Sequence, residues 1–308
     1  MRAFVTGMGG FVGAHLAARL VADGWEVAGT VRPGGDTARL RALGLVGSVQ
    51  VLRADLSDPA AAAAVAAAAD PDPDVAFLLA AARSEATAAD RSCTIAVNAS
   101  GVAWVVDALG GRCRTVVRLG SSTEYAAATG PMDESTPVRP RGFFGATKAA
   151  GSVLLPATCA HRGRRAVILR AFQVFGPLDH PGRLVPTALA AARTGRPLPL
   201  TGPGRRRDWV FVDDVVDACV RAATADHLPG GQVLNVGSGR QVANEELVAV
   251  VRRVTRRPVP VLPGAHPGRH WDTGSWVCDP SLARELLGWE AKVTLDDGLR
   301  RCWEGDLR

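Results

Sequence analysis

Short runs of consecutive apolar residues alternate along the chain with stretches in which apolar positions return every three or four residues. The first kind reads as strands buried on both faces, the second as helices lying against them. Residues 2–6 form one such run, and Phe11, Val12, Leu16 and Leu20 then recur at helical spacing. Further apolar runs at 25–31, 49–56, 75–79, 115–119, 166–170 and 233–239 read as six more strands. Between them, 60–69 is nearly pure alanine, the strongest helix former. A long helix is expected through Ile95, Asn98, Val102, Val105 and Leu109, and another from 244 to 254. Strands alternating with helices in this way imply an α/β chain built on a doubly wound parallel sheet.

Gly7, Gly10 and Gly13 fall in the turn between the first strand and the first helix. A glycine first lets the chain turn sharply, the second lets bare backbone approach a ligand, and the third lets the helix pack on the strand. The helix N-terminus, opened by Phe11 and Val12, offers unpaired N–H groups and a partial positive charge, so a dinucleotide's pyrophosphate would lie here. The segment Thr6-Gly-Met-Gly-Gly-Phe-Val-Gly13 resembles the opening of the extended short-chain dehydrogenase/reductase family. These are Rossmann enzymes that remodel nucleotide-activated sugars. The resemblance implies a dinucleotide domain over 1–172 plus about 231–257. A smaller substrate-binding lobe would then cover about 173–230 plus 258–308, where the composition turns toward proline, glycine and arginine.

Charge and cysteine usage narrow the function. The formal charge is +6, but the arginines are spread along the chain without interleaved aromatics, which argues against nucleic acid and for an anionic small ligand. Six cysteines without a CxxC pair give neither a zinc site nor a disulfide framework, and no metal is expected. No apolar run approaches the roughly twenty residues that span a bilayer, and Met1 to Val5 leads into glycines rather than a signal peptide, so no membrane partner and cytoplasmic residence are expected. Basic residues are almost all arginine. Lys148 and Lys292 are the only lysines and Tyr125 the only tyrosine, so a retained lysine invites a reason specific to its ammonium group.

The later landmarks follow the same family in order. The strand at 25–31 ends at Arg32, where an NAD-specific site carries an acid and an arginine can meet a 2′-phosphate. Arg32, with Arg39 and Arg41 behind it, therefore favours NADP over NAD. The resemblance places Asp55 and Leu56 at the adenine and Ala80 and Ala81 under the cofactor, gives Phe172 and Val174 as further cofactor contacts, and gives Arg83 as a substrate contact. Ligands of doubly wound sheets bind beyond the carboxyl ends of the strands, which puts Gly120-Ser-Ser-Thr-Glu-Tyr125 at the chemistry. Ser122 resembles the catalytic hydroxyl, with Thr123 as the alternative register. Glu124 aligns with the base of sugar-nucleotide dehydratases, although Thr123 stands where an aspartate usually precedes it. For the sugar nucleotide, the resemblance implies Gln173, Arg183, Arg207 and Arg269 as contacts, Arg207 and Arg269 at the diphosphate. A guanidinium suits phosphate because it donates paired hydrogen bonds. Asp208 and Asp213 read as structural, a loop ion pair and a helix N-cap. His266 and His270 read as loop histidines, and residues 282–289 resemble the family's closing helix.

Pro137 to Lys148 resembles the family's Pro-Tyr-Gly-Ala-Ser-Lys segment, but position 144 is phenylalanine. In Tyr-x-x-x-Lys the two side chains share a helix face, and the ammonium lowers the tyrosine's pKa and holds the nicotinamide ribose. Lys148 is in place, yet a phenyl ring carries no proton. Three explanations stand: an engineered tyrosine-to-phenylalanine substitution, another acid or base drawn from Glu124, Ser122 or water, or loss of hydride chemistry. The resemblance implies an enzyme exchanging hydride at C4 of a nucleotide-diphosphate sugar, as a homodimer. NADP favours reduction of a 4-keto sugar nucleotide, with C4 epimerase or 4,6-dehydratase as the alternatives, and a catalytically silent binding protein as the reading from another class.

Overall fold

The computed structural model describes residues 1–69, 72–83, 85–268 and 274–305, and these form two compact units. The first unit comprises Met1–Ala126, Pro137–Arg170 and Val216–Leu234, and the second Ala127–Thr136, Ala171–Val215 and Asn235–Arg308. Among the described residues the strands are β1 (Arg2–Thr6), β2 (Glu26–Val31), β3 (Gln50–Arg53), β4 (Val75–Leu78), β5 (Thr115–Ser121), β6 (Arg165–Ala171), β7 (Gln173–Phe175), β8 (Leu198–Pro199), β9 (Arg206–Phe211), β10 (Gln232–Val236), β11 (Gln241–Ala243) and β12 (Val261–Leu262). The helices are α1 (Phe11–Ala22), α2 (Ala38–Ala42), α3 (Ala61–Ala68), α4 (Ala88–Ile95), α5 (Gly101–Ala108), α6 (Phe143–His161), α7 (Leu184–Thr194), α8 (Val212–Thr224), α9 (Asn244–Thr255), α10 (Ser281–Leu287) and α11 (Leu295–Gly305).

The main sheet runs in the order β10-β6-β5-β4-β1-β2-β3. β1 pairs in parallel with β2 and β4, β2 with β3, and β4 with β5. Phe4, Val5, Phe77, Val116, Val117, Val167 and Ile168 are all buried, which is why these strands read as unbroken apolar runs. The strand order reverses between β1 and β4, so the loops at their carboxyl ends part and leave a crevice there.

Two elements differ from the sequence expectation, each for a local reason. The helix expected through 95–109 is α4 and α5 joined by a π turn at Ala96–Ser100. That turn aims the buried Asn98 side chain inward, where it accepts from the Ala82 amide and donates to the Ala82 carbonyl and Thr147. The third strand stops at Arg53, because Asp55 folds back to accept hydrogen bonds from the Ser57 amide and hydroxyl.

The second unit holds a β11-β9-β7 sheet, antiparallel between β11 and β9 and parallel between β7 and β9, and a short β12-β8 pair. Phe175 meets Trp209 and Phe211 edge to face at 6.1 and 5.5 Å. Gly298 of α11 is required against this cluster, since a Cβ there would lie 2.6 Å from the Phe175 ring. The observed units differ from the expected limits, and residues 127–136 and 171–172 fall in the second unit. Residues 216–230 belong to the first unit, where Asp217 pairs with Arg19. Residues 235–257 belong to the second, where α9 packs on α7 and α11 and Arg253 pairs with Asp296.

Candidate active site

Gly7, Gly10 and Gly13 form one turn. Gly7 takes φ of +69°, a conformation that side chains other than glycine seldom adopt. A Cβ on Gly7 would lie 2.7 Å from the Ala80 Cα, and one on Gly13 2.3 Å from the Gly7 carbonyl oxygen. The Thr6 hydroxyl accepts from the amides of Leu79 and Ala80, which seats Ala80 and Ala81 beside the turn. At the N-terminus of α1, Gly10 supplies no side-chain cap and the first turn, with Phe11 and Val12 half-buried, carries no acid. Backbone amides flanked by glycine, with no carboxylate to compete, fit a dinucleotide's diphosphate.

Beyond β2, Arg32 is exposed and its carbonyl accepts from the Gly35 amide and from Arg53. Arg39 donates to the Gly9 carbonyl at 3.5 Å. The acid in this loop, Asp36, is engaged with Arg41 at 3.3 Å and with the Ala38 amide. The Asp55 carboxyl is held below the usual carboxylate range by the Ser57 hydroxyl, then the Ser57 amide, with the Arg32 charge adding to both. Leu56, next in the chain, is buried at 9 % exposure.

At the carboxyl end of β5, burial alternates so that Leu119 and Ser121 are partly open while Gly120 and Ser122 are buried. The Ser121 hydroxyl lies 2.8 Å from that of Thr123. Ser122, the residue expected to be catalytic, is 5 % exposed. Ser121, with Thr123 beside it, is thus the more open of the two neighbouring serines at this strand end. Glu124, the candidate base, lies in the interior. It is fully buried, one oxygen accepting from the Ser121 amide and the other from Arg170 at 3.0 Å, with Arg170 stacked on the Tyr125 ring. Held between two donors, it supports the site from beneath.

The N-terminal half of α6 closes on this strand end. Gly145 permits the approach, since a Cβ there would lie 2.2 Å from the Thr123 carbonyl oxygen. Lys148 is buried and donates from Nζ to the Leu119 carbonyl at 2.5 Å. Burial, reinforced by the charge of Arg118, pushes its ammonium well below the ordinary lysine range. One turn earlier, Phe144 is half-buried, with the Arg83 guanidinium 4.4 Å from the centre of its ring. The structure thus brings together Ser121, Thr123, Lys148, Phe144 and Arg83. Asn98 and Arg118, which sequence reading did not single out, lie beneath them.

Phe172, Gln173, Val174, Arg183 and Arg207 lie in the second unit. Gln173 is level with Trp209 in the β7-β9 register, and the Phe172 amide donates to Val236. Arg207 is half-buried on β9, and Arg183 precedes α7 and pairs with Asp179 at 3.6 Å. Arg269 and His270 fall outside the described residues. Asp208 is not in a loop ion pair but buried on β9, accepting from the amides of Ser238, Gly239 and Cys278. Asp213 sits inside the first turn of α8, paired with Arg301 at 3.3 Å, rather than capping the helix. Among the described residues no group of three or more metal-ligating side chains occurs, and no helix is long and apolar enough to cross a membrane.

A glycine-lined helix start at a sheet reversal, with hydroxyl and lysine groups at the neighbouring strand end, defines a nucleotide-dependent oxidoreductase of the short-chain type. Residues 3–237 match the NAD dependent epimerase/dehydratase family, and the chain belongs to that family. It is 32% identical over 320 residues, covering 99% of this chain and 98% of the relative, to UDP-glucose 4-epimerase of Mycolicibacterium smegmatis. It is 28% identical over 54% of its length to dTDP-glucose 4,6-dehydratase of Haemophilus influenzae, spanning 52% of that protein. Among solved structures it superposes with a TM-score of 0.87 on MoeE5 in complex with UDP-glucuronic acid and NAD, at 28% identity, covering 100% of this chain and 99% of the other.

Proposed function

We propose that the chain inverts C4 of a nucleotide-diphosphate hexose, using NAD(P) bound at the Gly7–Gly13 turn. The observation that carries this reading is the Ser121–Thr123 hydroxyl pair beside Lys148 at the end of β5. A nicotinamide bound there would supply hydride exchange at C4, with return to the opposite face giving inversion. The chain's own groups bind and orient: the turn amides receive the diphosphate, Ser121 and Thr123 hold the reacting oxygen, and Lys148 lies where the family places its ribose contact. A dehydratase needs in addition a carboxylate that removes a proton from the neighbouring carbon. Glu124, the candidate, is committed to Arg170 and the Ser121 amide, which favours epimerisation over dehydration. Arg207, Arg183 and Gln173 are the candidate contacts to the sugar nucleotide in the second unit, with Arg269 completing the set by resemblance. The relative matched over its full length is a UDP-glucose 4-epimerase, so UDP-glucose is the first substrate to test. Appearance of UDP-galactose supports the reading, and its absence at every cofactor combination contradicts it.

The second reading, NADP-dependent reduction of a 4-keto sugar nucleotide, is favoured by Arg32 at the end of β2. With Asp36 engaged by Arg41, no free acid competes there for the ribose among the described loop residues. Arg32→Glu is expected to lower affinity for NADP by about tenfold or more while leaving NAD little changed, because the guanidinium contacts only the extra phosphate. Equal losses for both dinucleotides in fluorescence titration would contradict a 2′-phosphate contact.

A homodimer is part of the same proposal. Val153 (69 % exposed) and Leu154 (40 %) stand out on α6, flanked by exposed Ala146, Ala150 and Ala157, and Ile95 (45 %) lies on the adjacent α4. An apolar stripe over two packed helices suits a second copy of the chain. Sedimentation is expected to show a dimer, and Val153→Glu a monomer. A wild-type monomer would contradict it.

A further inference from the structure

Arg118 lies on β5, the strand that carries the site, and is buried at 2 % exposure. Its guanidinium donates to the Ser152 hydroxyl at 3.0 Å and to the Asn98 carbonyl at 2.8 Å, both neutral, and no carboxylate pairs with it among the described residues. Gly151 of α6 makes room for it, since a Cβ there would lie 2.3 Å from its Nη2 and 2.1 Å from the Asn98 oxygen. A buried ion without a counter-ion costs stability, so a fold shaped around one invites a functional reason. The adjacent residue, Leu119, holds the Lys148 ammonium by its carbonyl, and Lys148 faces Phe144 one helical turn away.

We propose that Lys148 carries the proton that the side chain at position 144 cannot, and that Arg118 is a positioning residue acting on Lys148 through its charge. This rests on the epimerase reading above. As the sugar C4 is oxidised, the O–H bond breaks and its proton passes to the Lys148 amine. The C4 hydrogen would leave with the C4–H electron pair to a bound nicotinamide, while the O–H pair becomes the second C–O bond. Return of the hydride to the opposite face of the 4-keto sugar, and of the proton to its oxygen, would give the epimer. The charged groups around Lys148 come from three segments: Arg118 on β5, Arg83 in the loop after β4, and Glu124 in the turn after β5. Glu124 opposes the two arginines, but its carboxylate is bonded to Arg170. Burial first, and then Arg118, drive Lys148 toward the neutral amine, the form that accepts a proton. Arg118 itself, lowered to about 10 by burial, stays charged at neutral pH.

The composition offers a direct test, because Lys148 and Lys292 are the only lysines. In protein labelled at the lysine ε-carbon, titration followed by nuclear magnetic resonance gives one signal from each. Lys148 is expected to titrate well below the ordinary lysine range, and Arg118→Met to bring it up. Arg118→Lys, which keeps the charge, is expected to leave it low. In parallel, reduction of bound cofactor by UDP-glucose is expected to rise along the Lys148 titration and to move with it in Arg118→Met. Lys148 titrating in the ordinary lysine range in the unaltered protein overturns the proposal, even if Arg118→Met does not fold. A rate profile that stays put while Lys148 shifts overturns the proton transfer alone. No reduction at any pH, with Lys148 titrating low, overturns the epimerase reading and leaves the effect of Arg118 standing.

Discussion

Lys148→Met is expected to lower the rate of cofactor reduction by UDP-glucose by about two to four decades, the usual scale of acid–base assistance. Methionine keeps the length and the burial of the side chain and removes both its proton chemistry and its bond to the Leu119 carbonyl. The lost bond leaves one acceptor unpaired, at a cost of roughly 1–3 kcal/mol, so thermal unfolding should move by only a few degrees while the rate collapses. Phe144→Tyr is the complementary change. If Lys148 already carries the proton, a new hydroxyl at 144 raises the rate by less than about tenfold. A gain of two decades or more would show that the missing tyrosine is what limits the enzyme. Stopped-flow absorbance of the nicotinamide distinguishes these outcomes.

Gly13→Ala is expected to weaken dinucleotide binding by roughly tenfold to a hundredfold. The added Cβ would meet the Gly7 carbonyl oxygen at 2.3 Å and the Met8 Cα at 3.0 Å, and backbone on both sides leaves nothing flexible to yield. Overpacking of this kind costs about 1–3 kcal/mol, and each 1.4 kcal/mol of it charged to the binding-competent turn is about a tenfold loss of affinity. Calorimetric titration of NAD and NADP measures it. Gly111→Ala, at an exposed position with nothing within 4 Å of the new Cβ, serves as the control and should bind normally.

The parts that were legible in the sequence are those set by a single local rule. The run of residues 2–6, the three glycines and the 11–20 periodicity give β1, the turn and α1, because close backbone approach and burial on both faces leave little choice of residue. β4, β5 and β6 were visible for the same reason. A run of hydroxyl residues carries no pattern of its own, and only the alternation inherited from β5 separates the burial of Ser121 from that of Ser122. Glu124 looked available because nothing local announces that Arg170, 46 residues later, occupies it. The π turn at Asn98 and the buried Arg118 were hidden likewise, since their partners, Ala82, Thr147 and Ser152, are distant in sequence. In the second unit, β7, β8, β11 and β12 are two or three residues long, too short for a periodic signal. The division of the chain shifted at α9, which packs on α7 and α11 of the second unit.

The central claim is that hydrogen passes between C4 of the sugar and a nicotinamide seated over the glycine turn. Turnover with UDP-glucose carrying deuterium at C4, quenched both before and after completion and followed by mass spectrometry of dinucleotide and sugar, tests it most directly. Deuterium in the nicotinamide ring at the early quench and back at C4 of the product at completion is the predicted result. A product whose C4 deuterium has been lost to solvent, or a dinucleotide that carries no label at any quench time, would contradict it.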